Sequence, residues 1–228
     1  MGHSCFLKMG TAHEGAAPIF YGDFVKHILI NIKKCTACKS CEIACAVKHS
    51  KSGNLYEAMI EEPKLESRLN IKLKGKNNMP VQCRHCEDAP CIKVCKPGAL
   101  AKSGGGIVMY DKGKCNICKE CISACPFGAI KISRDGKSIL KCDLCMDRLE
   151  KGEKPSCVIS CPTKALVFGA AVFKINEVKC TGCMACVKPC PRGAISGERK
   201  VPHKIDQNKC VKCGICQSIC RYDAIDIR

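Results

Sequence analysis

Four times in this chain, three cysteines at i, i+3 and i+6 are followed by a fourth, four residues further on. The quartets are Cys35, Cys38, Cys41 and Cys45; Cys115, Cys118, Cys121 and Cys125; Cys180, Cys183, Cys186 and Cys190; and Cys210, Cys213, Cys216 and Cys220. Two further quartets are stretched. Cys83, Cys86, Cys91 and Cys95 carry two extra residues before the third cysteine, and Cys142, Cys145, Cys157 and Cys161 carry a long insert at the same point. Of 25 cysteines in 228 residues, only Cys5 is left over. A chain spaced in this way is built around sulfur. Three thiols in one tight turn can aim at a single centre, while the fourth begins a short helix and points elsewhere.

That geometry suits a cubane cluster. In two-cluster bacterial ferredoxins the fourth cysteine ligates the other cluster, so quartets work in pairs. Six quartets pair without remainder, which predicts six [4Fe-4S] clusters with those 24 cysteines as iron ligands. Structural zinc sites usually join two C-x2-C knuckles across a spacer, and four sets of three closely spaced thiolates fit a cubane better. Disulfides are disfavoured by the odd cysteine count and by the absence of a secretory signal in residues 1–10. A reducing cytoplasm is the expected compartment. Cys5 is expected to be a free thiol.

The formal charge of +17 resembles that of a nucleic-acid binder, but it assumes neutral thiols. With about −2 per oxidised site and about −3 per reduced site, a six-cluster protein falls near +5 or −1. Much of the lysine excess then offsets cluster charge, and no nucleic-acid partner is expected. The runs Lys72, Lys74, Lys76 and Arg199, Lys200, Lys204 read as solvated faces. The longest apolar run, Ala165–Phe173, is too short to span a bilayer. With six Phe, four Tyr and no Trp, the usual large core residues are scarce. No Gly-rich dinucleotide fingerprint or phosphate-binding loop is present, so catalysis by this chain alone is not expected.

A repeat underlies the quartets. Alanine stands four residues after five of the fourth cysteines, followed by Leu or Ile: Ala99-Leu100, Ala129-Ile130, Ala165-Leu166, Ala194-Ile195 and Ala224-Ile225. Lysine precedes five of the first cysteines, at Lys34, Lys114, Lys141, Lys179 and Lys209. Each unit reads as a cysteine loop, a helical turn and a short strand, with the strands in small hairpins. The first quartet departs from this with an insert, residues 46–82, that predicts a helix over Leu55–Ile60 and a strand through Leu69, Ile71 and Leu73. The six histidines are scattered, and His85 is expected in a solvent-facing loop.

Residues 28–170 resemble the four-cluster ferredoxin-type electron-transfer subunits of multisubunit oxidoreductases. The likeness rests on four quartets in this order, the stretched Cys83-Arg-His-Cys-Glu-Asp-Ala-Pro-Cys91 and the long insert in the fourth. Cys41–Ser50 and Glu61-Glu62-Pro63 look most like the subunit serving carbon monoxide dehydrogenase. Residues 171–228 are similar to an appended two-cluster ferredoxin, and residues 1–27 form an N-terminal extension. The resemblance implies an α+β fold of three tandem two-cluster modules. It also implies an electron-transfer role in anaerobic metabolism beside a catalytic carbon monoxide dehydrogenase, formate dehydrogenase, hydrogenase, or molybdenum or tungsten subunit. It allows a flavoprotein or second ferredoxin-type subunit as a further partner. A free polyferredoxin carrier is the alternative.

The family pairs the first quartet with the fourth and the second with the third. It thus implies Cys35, Cys38 and Cys41 with Cys161; Cys142, Cys145 and Cys157 with Cys45; Cys83, Cys86 and Cys91 with Cys125; and Cys115, Cys118 and Cys121 with Cys95. In the appended module it implies Cys180, Cys183 and Cys186 with Cys220, and Cys210, Cys213 and Cys216 with Cys190. Pairing between neighbouring quartets within the first four stays open.

Overall fold

The computed structural model describes residues 20–21, 24–25, 27–74, 77–103, 105–169 and 172–227. Cys5, His3, His13 and most of the N-terminal extension lie outside the described residues. Short helices and short strands alternate along the chain, as the α+β reading requires. The helical turn does not begin at the fourth cysteine, as the spacing predicts; five helices open at or next to a third cysteine instead: Ser40–Lys48, Pro90–Lys93, Glu120–Ala124, Ser156–Ile159 and Ile215–Ile219. The Ala-Leu/Ile pairs lead into the strands Leu100–Lys102, Lys131–Ile132, Leu166–Gly169, Ile195–Ser196 and Ile225–Ile227. In the insert, the predicted helix forms at Leu55–Ile60 and the predicted strand at Asn70–Lys74.

Among the described residues, all strands pair antiparallel in seven two-stranded sheets. Several are local hairpins, such as Leu100–Lys102 with Val108–Tyr110 and Ile195–Ser196 with Lys204–Ile205. Two join distant parts of the chain. His27–Ile30, leading into the first quartet, pairs with Leu166–Gly169, leaving the fourth. Phe173–Ile175 pairs with Ile225–Ile227, which ties the lead-in of the fifth quartet to the exit of the sixth. A residue-level match repeats at each junction. The N–H of Asn31 donates to the carbonyl of Ala165, Asp111 to Ala99, Asn176 to Ala224 and Asp206 to Ala194, at 2.7–2.8 Å.

Three buried clusters make up the core, and cysteine belongs to all of them. The strand His27–Ile30 serves two. Its side chains alternate, so Ile28 and Ile30 enter the first cluster while Leu29, fully buried, enters the third with Phe173, Ile195 and Ile225. The C-terminal quartets thus share a strand with the first quartet. At this contact a Cβ on Gly214 would sit 2.5 Å from the Ile30 carbonyl oxygen, and Gly214 holds φ +78°. Gly214→Ala is expected to cost about 2–4 kcal/mol, combining left-handed strain with a backbone clash. Gly98→Ala, at φ +67° with nothing within 4 Å, should cost only about 1 kcal/mol. Denaturant midpoints of the two variants check the difference; equal losses would contradict the close packing at Ile30.

Among the described residues, no helix is long and apolar enough to cross a membrane.

Candidate cluster-binding sites

The 24 quartet cysteines all lie among the described residues, and each has a free thiol. In the C-terminal part, one small pocket is lined by Cys180, Cys183, Cys186 and Cys220. A second is lined by Cys210, Cys213, Cys216 and Cys190. Each gathers three thiols from one quartet and the fourth cysteine of the other. In the first four quartets, too, cysteines of different quartets lie close enough to act on one another. Cys41 feels the charge of Cys161 and Cys35, and Cys145 that of Cys45. Cys91 has Cys83, Cys125 and Cys86 as neighbours, and Cys121 has Cys118, Cys95 and Cys115. Burial, reinforced by these neighbours, pushes the Cys41 thiol up to about 12 and the Cys91 thiol up to about 11. Cys142, Cys157 and Cys216 are also pushed up, by burial first.

Local backbone geometry explains how the turns form. In all six quartets the residue just before the second cysteine is left-handed: Ala37, His85, Ile117, Leu144, Gly182 and Lys212. The residue just after it is also left-handed at Lys39, Lys119, Met184 and Gly214. Left-handed backbone costs a residue with a side chain about 1–2 kcal/mol, and a β-branched residue such as Ile117 is an outlier there. Strain repeated at equivalent positions marks a functional constraint. It turns N–H groups toward sulfur: His85 N–H donates to Cys83 Sγ and Leu144 N–H to Cys142 Sγ, both at 3.4 Å.

The alanine repeat has the same purpose. Gly98, Gly128, Lys164, Gly193 and Asp223, each three residues past a fourth cysteine, are left-handed. The chain then doubles back, and the next N–H reaches the cysteine sulfur. Ala165 donates to Cys161 at 3.2 Å, Ala194 to Cys190 and Ala224 to Cys220 at 3.3 Å, and Ala129 to Cys125 at 3.4 Å. A small side chain lets this turn lie against the buried wall. Because Lys119 is exposed at φ +65°, Lys119→Gly should relieve strain and stabilise the protein by about 0.5–1 kcal/mol. A lowered denaturation midpoint would contradict the strain argument.

His85 departs from its expected place. It is not solvent-facing but 4% exposed, because its left-handed backbone turns the ring inward, where Nδ1 accepts the Val108 N–H at 3.1 Å. Two more histidines lie against quartets. His203, buried, has Nδ1 3.8 Å from Cys180 Sγ. His49 has Nδ1 3.7 Å from Cys45 Sγ and Nε2 3.2 Å from Asp143. Burial alone would lower the His49 pKa, but Asp143 and Cys45 raise it to about 9. Of the lysines preceding first cysteines, Lys141 alone is buried, and its Nζ donates to the carbonyls of Val108 and Cys142. The His49–Cys45 contact is an i,i+4 pair at the end of one helix, whereas those of His85 with Val108, His203 with Cys180 and Lys141 with Val108 depend on which loops meet.

The donor set fits iron–sulfur clusters. Thiols that burial and mutual repulsion keep protonated become good ligands only beside a cationic centre, whose binding releases their protons. The N–H groups aimed at other quartet sulfurs, such as those of Cys83, Cys161 and Cys190, suit thiolate ligands.

Comparison with known proteins agrees. A 4Fe-4S dicluster domain matches residues 76–171, a second 4Fe-4S dicluster domain matches residues 179–224, and a 4Fe-4S binding domain matches residues 32–48. The B subunit of the anaerobic dimethyl sulfoxide reductase of Escherichia coli K12 is 36% identical over 169 residues, covering 72% of this chain and 80% of that protein. An iron-sulfur protein of Rhodospirillum rubrum is 38% identical over 151 residues, covering 61% and 79%. The thiosulfate reductase electron transfer subunit PhsB of Salmonella typhi is 37% identical over 138 residues, covering 60% and 71%. The chain belongs to the family of 4Fe-4S electron-transfer subunits of reductase complexes. It is an electron-transfer component and not a catalytic subunit.

Proposed function

We propose that the 24 quartet cysteines hold six [4Fe-4S] clusters in three pairs, and that the chain conducts electrons between a catalytic subunit and a second redox protein. The observation that carries this reading is the pair of C-terminal pockets, each lined by three thiols of one quartet and the fourth cysteine of the other. Each group would take one cubane: Cys35, Cys38, Cys41 and Cys161; Cys45, Cys142, Cys145 and Cys157; Cys83, Cys86, Cys91 and Cys125; Cys95, Cys115, Cys118 and Cys121; Cys180, Cys183, Cys186 and Cys220; Cys190, Cys210, Cys213 and Cys216. When bound, such clusters supply one-electron redox chemistry. The chain sets how far apart they stand, and its N–H···S bonds, buried walls and nearby His49, His203 and Lys141 tune how readily each takes an electron.

For the partner, we propose a catalytic oxidoreductase subunit of the dimethyl sulfoxide or thiosulfate reductase kind, as the names of the relatives suggest. The narrower likeness of Cys41–Ser50 and Glu61–Pro63 to the carbon monoxide dehydrogenase subunit names the competing partner. Oxygen-free purification of the untagged native complex, with identification of the co-purified polypeptide, decides between them. A reductase subunit supports the proposal, a carbon monoxide dehydrogenase replaces the partner, and an isolated 25-kDa species makes the protein a free carrier.

A further inference from the structure

Resting on the six-cluster reading, we infer that the cysteine groups form a three-ended branched path, with the Cys83, Cys86, Cys91 and Cys125 group as its junction and Arg84 as the positioning residue there. The first support is adjacency. Cys157 lies within electrostatic reach of Cys41, and Cys142 within reach of Cys83. Cys95 and Cys125 exchange places between the second and third quartets, so the Cys83 group is also partnered with the Cys115 group. Those contacts alone would make a linear row of four.

The C-terminal module touches the lead-in of the first quartet at Ile30 and Lys33, but it also meets the row in its interior. A cavity of about 250 Å³ has Cys86 and Arg84 on one wall and Cys210 and Lys212 on another. Val211 packs into the core cluster that contains Cys86 and Cys91. The sixth quartet is therefore seated against the second, in the interior of the row. The fifth lies beyond it, because Cys216 is within reach of Cys186.

Arg84 stands at this meeting point. Its side chain is buried, at 7% exposure, and its Nε and Nη1 have no hydrogen-bond partner among the described residues. A buried guanidinium with idle donors is costly unless something anionic faces it. The side chains that act most strongly on its charge are the thiols of Cys213, Cys83, Cys86 and Cys142, drawn from three different groups. The idle donors are thus placed to hydrogen-bond cluster sulfur and to offset charge on both sides of the contact.

Exposure supplies an independent observation. The second cysteine of a quartet is exposed in three cases, Cys38, Cys118 and Cys183, and these belong to the three groups at the ends of the branched path. In the three inner groups, Cys86 and Cys145 are buried and Cys213 is half-buried. A linear path would need two surface ends. Three indicate a third electron-exchange site on the appended module, at Cys183, fitted to a further redox protein.

Two measurements on the reconstituted, full-length holoprotein test the inference. In the wild type, a soluble dysprosium chelate should speed the relaxation of three cluster signals and leave three protected; two responsive signals would overturn the third end. In Arg84→Met, redox titration followed by electron paramagnetic resonance should move at least two cluster signals to lower potential, one of them the signal that Cys213→Ser alters. Arg84→Lys should restore part of the shift. Movement of a single signal, or of none, at unchanged iron content would overturn the junction. An iron count well below 24 per chain would overturn the six-cluster reading itself.

Discussion

Stripped of iron, the chain is expected to lose its tertiary fold. Among the described residues, its α-helices are four to nine residues long, below the length at which a helix persists alone in water. Its sheets have two strands each, and such sheets are marginal unless something packs on them. Large aromatic side chains, which anchor most cores, number ten in the whole chain. Cysteines fill the space instead: Cys41, Cys45 and Cys157 in the first core cluster, Cys86, Cys91 and Cys121 in the second, Cys186 and Cys216 in the third. The left-handed residues beside the second cysteines add backbone strain. Cluster binding must therefore supply most of the folding free energy, as it does in other small metal-dependent domains. Chelation of iron under reducing conditions should collapse amide chemical-shift dispersion. A dispersed spectrum from the iron-free chain would show that packing alone suffices.

The second large effect concerns which cysteine serves which cluster. Cys125→Ala should damage the same cluster signal as Cys83→Ala, although the two residues belong to different quartets. Cys115→Ala, from the same quartet as Cys125, should damage another. Each variant is expected to lose on the order of four irons, since a cubane missing one of its thiolates is labile to oxidation and loss. If Cys125→Ala and Cys115→Ala instead abolish one common signal, each quartet closes on itself and the exchange of fourth cysteines is not used.

Much of this is legible in the sequence, for a physical reason. Sulfur ligands to a common centre must recur at fixed offsets, so Cys35 to Cys45 and its copies announce themselves without a partner strand or a long-range contact. The units of loop, helical turn and strand follow from the same offsets. Leu55–Ile60 and Asn70–Lys74 are readable from local pattern. The alanine four residues past the fourth cysteine is visible, but its purpose is not. Only the backbone shows that residues such as Gly193 and Asp223 turn left-handed, so that Ala194 and Ala224 can donate to sulfur.

What the spacing cannot carry are meetings between distant loops. His85 reads as a loop histidine because it sits between two cysteines in a turn; its burial depends on Val108, which comes from another hairpin. Arg84 gives no signal of its own, since two of the thiols that act on it, Cys142 and Cys213, come from distant loops. Leu29 looks like one more apolar residue in a strand, and only the packing shows it reaching the C-terminal core. One further repeat takes its meaning from the fold. Asn31, Asp111, Asn176 and Asp206 each stand four residues before a first cysteine, and their N–H groups tie each lead-in to the exit of a partner quartet.

The most direct measurement is the iron and acid-labile sulfide content of the full-length protein after strictly anaerobic reconstitution, read beside its Mössbauer spectrum. Six filled cubanes require about 24 irons and 24 sulfides per polypeptide, all in cubane environments. Zinc in place of iron, or a count that saturates near half that figure, would contradict the claim that every quartet is part of one conducting array.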